Sequence, residues 1–315
     1  MGDPAGIGPE VALKACMDAR IAAVCQPVVI ASRGIMERVA GRLGLPVPES
    51  LNEPRIPGFD AAAILPGEIH PLCGAAAGAC IEAAIAGCLR GDFDAMVTGP
   101  INKTAIAAAG IDFPGHTEWI ASRCGVTGET MMMYHPDIAV ALATCHQPLL
   151  SVPGSLSPER LITVTRQFHS ALKRLRGRKP RLAICGFNPH AGEGGLFGSE
   201  DEMVLPAVYE LLQLGLDVEG PLPADTAFAP PNRRRFDGWV CLYHDQGLIP
   251  FKALAFEDGV NVTLGLPIVR TSVDHGTAFD IAWHGKAEHR SLIAAIELAA
   301  RLVLKEGSAG FPVLR

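Results

Sequence analysis

The chain has 315 residues, 49% hydrophobic and only 19% charged, which is ample for a buried core and makes it a globular protein of one large or two modest domains. A formal net charge of -6 weighs against nucleic acid or an anionic membrane as the main partner, and the one basic cluster, Arg233 to Arg235, reads as a solvated loop end. No apolar run reaches the roughly 20 residues needed to cross a bilayer and no charged-then-apolar leader opens the chain, so a cytoplasmic protein is expected.

In chain order, "MGDPAGIGPEVALKAC" places a Gly-rich turn and Pro9 before a helix, the arrangement that aims free backbone N–H groups at an anion. "PVVIAS" (27 to 32) reads as a strand, "GAAAGACIEAAIAGCLRG" as a helix, and "FDAMVTGP" (93 to 100) and "DIAVALATCH" (137 to 146) as further strands. "SPERLITVTRQFHSALKRL" is helical, with Leu161, Val164, Phe168, Ala171, Leu172 and Leu175 at three and four spacing. "PRLAICGF" (180 to 187) is a strand, "SEDEMVLPAVYELLQLG" a helix, and "DGWVCLYHD" (237 to 245) and "GVNVTLGL" (259 to 266) are strands. "HRSLIAAIELAARLVLKEG" closes the series as an amphipathic helix with Gly307 as its stop. Strands this continuously apolar predict a sheet covered on both faces, and the alternation is an α/β pattern.

Nine cysteines, none in a Cys-x-x-Cys pair, read as small buried hydrophobes of a reducing compartment rather than a zinc knuckle. Cys145 stands out because it abuts His146.

Several strands run straight into polar Gly/Pro turns: "TGPINK", "TCHQPL", "CGFNPHAGEGG" and "LYHDQG". In parallel sheets ligands collect at the carboxyl ends of strands, so these turns are expected to line one cleft. "NPHAGEGG" (188 to 195) is suited to neither helix nor strand and reads as a shaped loop presenting His190. His146, His190 and His244 each follow a strand; singly each reads as a hydrogen-bonded structural histidine, jointly as a site for Zn²⁺, Co²⁺ or, with added oxygen ligands, Mg²⁺ or Mn²⁺. "VDHGTAFDIAWHGKA" (273 to 287) runs from a turn into a short helix, with Thr277 or Asp274 as an alternative plain cap.

"GDPAGIGPE", "TGPINK", "GHTEW", "NPHAGEGG", "GPLPADT", "YHDQGLIPFK", "GVNVTLGLP" and "RTSVDHGTAFDIA" occur in that order over about residue 2 to 287. Through them the chain resembles the 4-hydroxythreonine-4-phosphate dehydrogenase family of pyridoxal phosphate synthesis, and the last string also looks like the nucleotide-loop motif of isopropylmalate and isocitrate dehydrogenases. The resemblance implies a two-lobed α/β/α isopropylmalate dehydrogenase-like fold with the active site in the inter-lobe cleft. The first lobe is expected over 1–125 plus 285–315, and the second, over 126–284, is expected to carry most of the metal, substrate and nucleotide motifs.

Carried over residue by residue, the resemblance makes His146, His190 and His244 the ligands of a divalent metal (Zn, Mg or Co), with His244 supplied across a homodimer interface. His116, Thr117, Lys252, Asn261 and Arg270 match substrate-binding positions, the Lys and Arg suiting a phosphate dianion. His275, Gly276, Thr277 and Asp280 match the NAD or NADP site. Asp245 and Asp225 are the candidates for the base, and each reads equally as an orienter of a ligating histidine. The implied reaction oxidises 4-hydroxy-L-threonine 4-phosphate to a β-keto acid that loses CO₂. Relatives acting on D-threonate or D-erythronate 4-phosphate, or on an aromatic cis-dihydrodiol dicarboxylate, share the motifs. A metal-dependent hydrolase or lyase is the reading of another class, and it has no use for the His-Gly-Thr-Ala-x-Asp-Ile-Ala string. The family leads into "GDPAGIGPE" by a strand that this chain, starting at Met1, lacks, so a natural start upstream is expected.

Overall fold

The computed structural model describes residues 1–113 and 115–304. In chain order its strands are β1 (Val29–Ile30), β2 (Leu51–Asn52), β3 (Ala95–Thr98), β4 (Thr130–His135), β5 (Ile138–Leu142), β6 (Arg181–Cys185), β7 (Asp217–Leu222), β8 (Gly238–Cys241), β9 (Val260–Leu264) and β10 (Val269–Val273). The chain divides into two compact units, residues 1–126 with 266–304, and residues 127–265. The chain returns to the first unit at Leu266, not at 285, because β10 pairs in parallel with β3, Arg270 opposite Met96. Arg270 and the whole 275–280 turn therefore belong to the first unit, not to the second.

In the second unit six strands lie in the order β9-β4-β5-β8-β6-β7. Strands β5, β8, β6 and β7 are parallel, whereas β4 runs antiparallel to both β5 and β9. The sequence pattern did not point to β4: "TMMMYH" has no alternation and a single β-branched residue, Thr130, yet it is buried along most of its length. Alternate residues supply two cores, as the period of two in a strand requires. Met131, Met133, Val140, Leu142 and Trp239 face Leu248 and Phe251 of the helix His244–Leu254. The helix Pro158–Arg176 buries Leu161, Val164, Phe168 and Leu172, and Gly238 on β8 leaves the room that Phe168 fills. Covered on both faces, these strands account for the apolar runs.

The first unit is built on helices around β1, β2, β3 and β10. The helix Pro71–Arg90 is, by length and composition, apolar enough to cross a membrane, contrary to the sequence expectation. Half of that stretch is buried inside the protein. Its glycines are the reason: a side chain on Gly74 would collide with the Ala105 carbonyl, on Gly78 with Ile111 and Trp119, and on Gly87 with Phe93. It is a core helix in close contact with its neighbours. The last helix, Arg290–Val303, packs on β10 and β3, burying Leu292, Ile293, Ala295 and Leu298. Gly307 lies outside the described residues.

The N-terminal turn does not form an open anion cradle. Residues 2–10 are buried, Ile7 N donates to the Thr277 carbonyl at 3.0 Å, and a Cβ on Gly8 would strike the Met1 carbonyl. Glu10, with no exposed surface, accepts from the Gly285 and Ala287 N–H groups and from Lys14 Nζ at 2.8 Å, while Lys14 also donates to both carbonyls of that loop. This clasp fixes the segment that follows the 275–280 turn.

Candidate active site

In the second unit, Cys145 and His146 follow the end of β5 and Tyr243 and His244 follow the end of β8, so parallel neighbours deliver two imidazoles to one edge. The rings of His146 and His244 lie 5.4 Å apart between centroids, within a single chain. They line a cavity of about 500 Å³ with Cys145, Tyr243 and Asp245. Asp245 Oδ1 is 2.6 Å from His244 Nδ1, which leaves Nε2 to face a ligand. This is the geometry of an orienter. Asp225 sits exposed in the short helix Ala224–Ala227.

His190 stands apart from that pair. Its side chain is 64% exposed, packs edge-on to Phe197, and has Nδ1 3.1 Å from Glu193 Oε2. Among the described residues no three His, Cys, Asp or Glu side chains approach closely enough to hold a metal ion. One chain thus assembles two of the three expected donors, and a pair of imidazoles fits a borderline divalent metal in kind. The loop bearing His190 is a left-handed turn: φ is 54° at His190, 54° at Ala191 and 42° at Glu193, with Gly192 and Gly194 between them. Glu193, whose purpose the sequence did not show, pairs with the ring it follows.

In the first unit, His116 and Thr117 open the helix His116–Arg123. Desolvation holds the His116 imidazole well below the usual histidine range, and the Arg270 guanidinium, the N-terminal amine and Lys103 push the same way. Its Nε2 is buried without a hydrogen-bond partner. Arg270 on β10 is 2% exposed and donates to Thr98 Oγ1 at 2.8 Å; burial lowers it to about 10, against the pull of Glu118. A neutral imidazole beside a desolvated guanidinium suits an anion. Lys103 and Glu118 were not singled out from the sequence, although both lie inside quoted strings, "TGPINK" and "GHTEW".

The 275–280 turn packs on the N-terminal loop, where a Cβ on Gly6 would sit 2.9 Å from the Thr277 carbonyl. Instead of the expected helix it forms a 3-10 turn over Phe279–Ile281, after Ala278 at φ 41°. His275 Nδ1 is 3.0 Å from the Gly276 carbonyl and its Nε2 is buried without a partner, whereas Gly276 and Asp280 are exposed. In the second unit, Lys252 lies on the helix His244–Leu254 and Asn261 on β9 opposite Met133, its Oδ1 buried and unbonded.

Residues 23–299 match the family model described as pyridoxal phosphate biosynthetic protein PdxA. The chain is 43% identical to a 4-hydroxythreonine-4-phosphate dehydrogenase of Desulforapulum autotrophicum, over 95% of this chain and 93% of that one. It is also 43% identical to a D-threonate 4-phosphate dehydrogenase of Cupriavidus necator, over 97% and 96%. Among solved structures, a 4-hydroxythreonine-4-phosphate dehydrogenase from Klebsiella pneumoniae superimposes with a TM-score of 0.84 at 38% identity, covering 96% of this chain and 98% of that one. A β-decarboxylating dehydrogenase from Thermococcus kodakarensis shares the fold alone, with a TM-score of 0.51 at 15% identity over 94% and 80% of the two chains.

Proposed function

Because the chain belongs to the PdxA family of pyridoxal phosphate biosynthetic proteins, we propose that it is a dehydrogenase oxidising 4-hydroxy-L-threonine 4-phosphate with NAD or NADP and a divalent metal. The observation that carries this reading is where the orphaned buried polar atoms fall. His116 Nε2, Asn261 Oδ1 and His275 Nε2 each lack a partner, and each belongs to a residue that family motifs assign to substrate or nucleotide. Most buried polar groups in proteins are paired, and although other orphans such as Asp3 Oδ2 lie elsewhere in the chain, those three sit in motifs suited to a ligand.

Arg270 and Lys252 supply the charge that binds a phosphate dianion, Arg270 the more strongly because it is desolvated. His116, held neutral, hydrogen-bonds the substrate without adding charge. His146 and His244 would hold the metal with a His190 imidazole as the third donor, and Asp245 and Glu193 orient two of those rings. When bound, the metal stabilises charge developing on the substrate oxygen and the nicotinamide takes the hydride. Asp225, or Asp245 beside His244, takes the hydroxyl proton. The product is a β-keto acid that releases CO₂ to leave 3-amino-2-oxopropyl phosphate. The protein acts as a homodimer in the cytoplasm.

The Cupriavidus relative, equally similar, favours D-threonate 4-phosphate as a second reading. Absorbance of the reduced nicotinamide with each phosphorylated substrate decides between them. Turnover of 4-hydroxythreonine 4-phosphate, lost on chelation and restored by Zn²⁺, Co²⁺ or Mg²⁺, is the expected result. A clear preference for D-threonate 4-phosphate replaces the first reading by the second, and no reduction with either refutes a dehydrogenase.

A further inference from the structure

The loop that presents His190 has a cost and an anchor. Three non-glycine residues in the left-handed region cost on the order of 1 kcal/mol each, and such a turn persists only where its surroundings over-determine it. What surrounds it is a single buried carboxylate. Asp201, 6% exposed and lying in the 3-10 turn Glu200–Met203, accepts the Phe187 N–H on Oδ1 at 2.6 Å and the Asn188 N–H on Oδ2 at 3.0 Å. Both carboxylate oxygens are thus taken by the two residues that lead into the turn.

The fit around Asp201 is close on the loop side. A Cβ on Gly186 would lie 2.9 Å from its Oδ1, and one on Gly192 3.2 Å from its Oδ2. The neighbouring Glu200 accepts from Asn188 Nδ2 at 2.7 Å. A second strut holds the same root: Gln246 donates from Nε2 to the Gly186 carbonyl at 2.7 Å and accepts the Leu242 N–H at 2.7 Å. Gln246 therefore ties the end of β6, from which the His190 loop leaves, to the end of β8, from which His244 leaves.

We propose that Asp201 is a positioning residue that sets the left-handed turn and so fixes where the His190 imidazole is presented. The role attributed to that imidazole rests on the function proposed above; the templating of the turn does not. An isosteric amide cannot do the same work, because Asn would turn an NH₂ toward one of two N–H donors. Glu keeps the charge and both acceptors but is one methylene longer.

The test compares wild type with Asp201→Asn, Asp201→Glu and His190→Ala, using hydrogen exchange of the 186–198 segment and Co²⁺ affinity read from its visible spectrum. Asp201→Asn is expected to speed exchange in that segment about tenfold or more, while the helix Pro158–Arg176 stays protected. It is also expected to weaken Co²⁺ binding about tenfold, with Asp201→Glu intermediate in both. Unchanged exchange at Phe187 and Asn188 overturns the proposal, as does unchanged Co²⁺ affinity when His190→Ala weakens it. If His190→Ala leaves Co²⁺ binding intact, the ligand role of His190 fails instead, and exchange alone then judges Asp201. Should the Asn variant not fold, the Glu variant carries the comparison with the same two outcomes.

Discussion

Asp3 follows Gly2 at the head of the first quoted motif, 1% exposed, with Oδ1 receiving the Ala5 N–H at 2.9 Å and Oδ2 buried without a partner. Burial raises its pKa from 3.8 to about 6, against the nearby backbone N–H groups of Ala5 and Asn102, which pull the other way. The folded protein therefore binds this proton more tightly than the unfolded chain. The stability it brings is fully present below pH 3.8 and is lost as the pH rises through about 6. At pH 8 the ionised carboxylate is a net cost, about 3 kcal/mol relative to its protonated form. Asp3→Asn, which keeps an acceptor for Ala5, should accordingly raise stability at pH 8 and gain little at pH 4. Urea melts at the two pH values check this, and an equal gain at both would refute it. His116 acts with the opposite sign. Its lowered pKa means that acidification through the ordinary histidine range destabilises the fold.

Helices in this chain are close-packed through missing side chains, and two glycines measure the effect. In the helix Pro71–Arg90, a methyl at Gly74 has nowhere to go but the backbone of Ala105 and Ile106. In the helix Arg33–Leu43, a Cβ on Gly41 meets nothing within 4 Å. Gly74→Ala should destabilise by about 1–3 kcal/mol through overpacking, and Gly41→Ala should stabilise by about 0.5–1 kcal/mol through helix propensity. Thermal denaturation of the two variants gives the comparison, and like signs would contradict the packing described. The same helix shows what was legible at this scale. Its alanine and glycine content reads plainly as helix, but the neighbour that each glycine meets is set by tertiary packing. Strand β4 was missed because three consecutive methionines carry no period. The β10 strand was hidden inside a motif read for its chemistry, and missing it moved Arg270 and the 275–280 turn into the wrong unit. Histidines at strand ends were legible from their positions. Asp201 was not, because a carboxylate in "GSEDE" looks like any solvated charge until the fold closes a loop around it.

For the molecule as a whole, the placement of His146 and His244 bears on how two copies would share a site. The resemblance implies that His244 comes from a partner subunit; within one chain its ring lies beside that of His146, and His190 is the one set apart. If a homodimer completes the site, mixed His146→Ala and His244→Ala chains should stay inactive, because every site lacks one member of the pair. Mixed His146→Ala and His190→Ala chains should regain about half of the activity that one intact site per dimer allows. Activity after subunit exchange reads both, and rescue of the first mixture alone would reinstate His244 as the partner's ligand. The division of the chain has a consequence of a different kind, in the order of synthesis. Residues 127–265 hold the run β9-β4-β5-β8-β6-β7 and can pair those six strands with one another as soon as they leave the ribosome. Residues 1–126 emerge first, yet β3 lacks β10 and the covering helix Arg290–Val303 until nearly the whole chain has been made. The N-terminal segment must wait, with the glycine-notched helix Pro71–Arg90 unsheltered, for a C-terminal segment made more than a domain later. Residues 1–126, though made before residues 127–265, should therefore complete their fold after them.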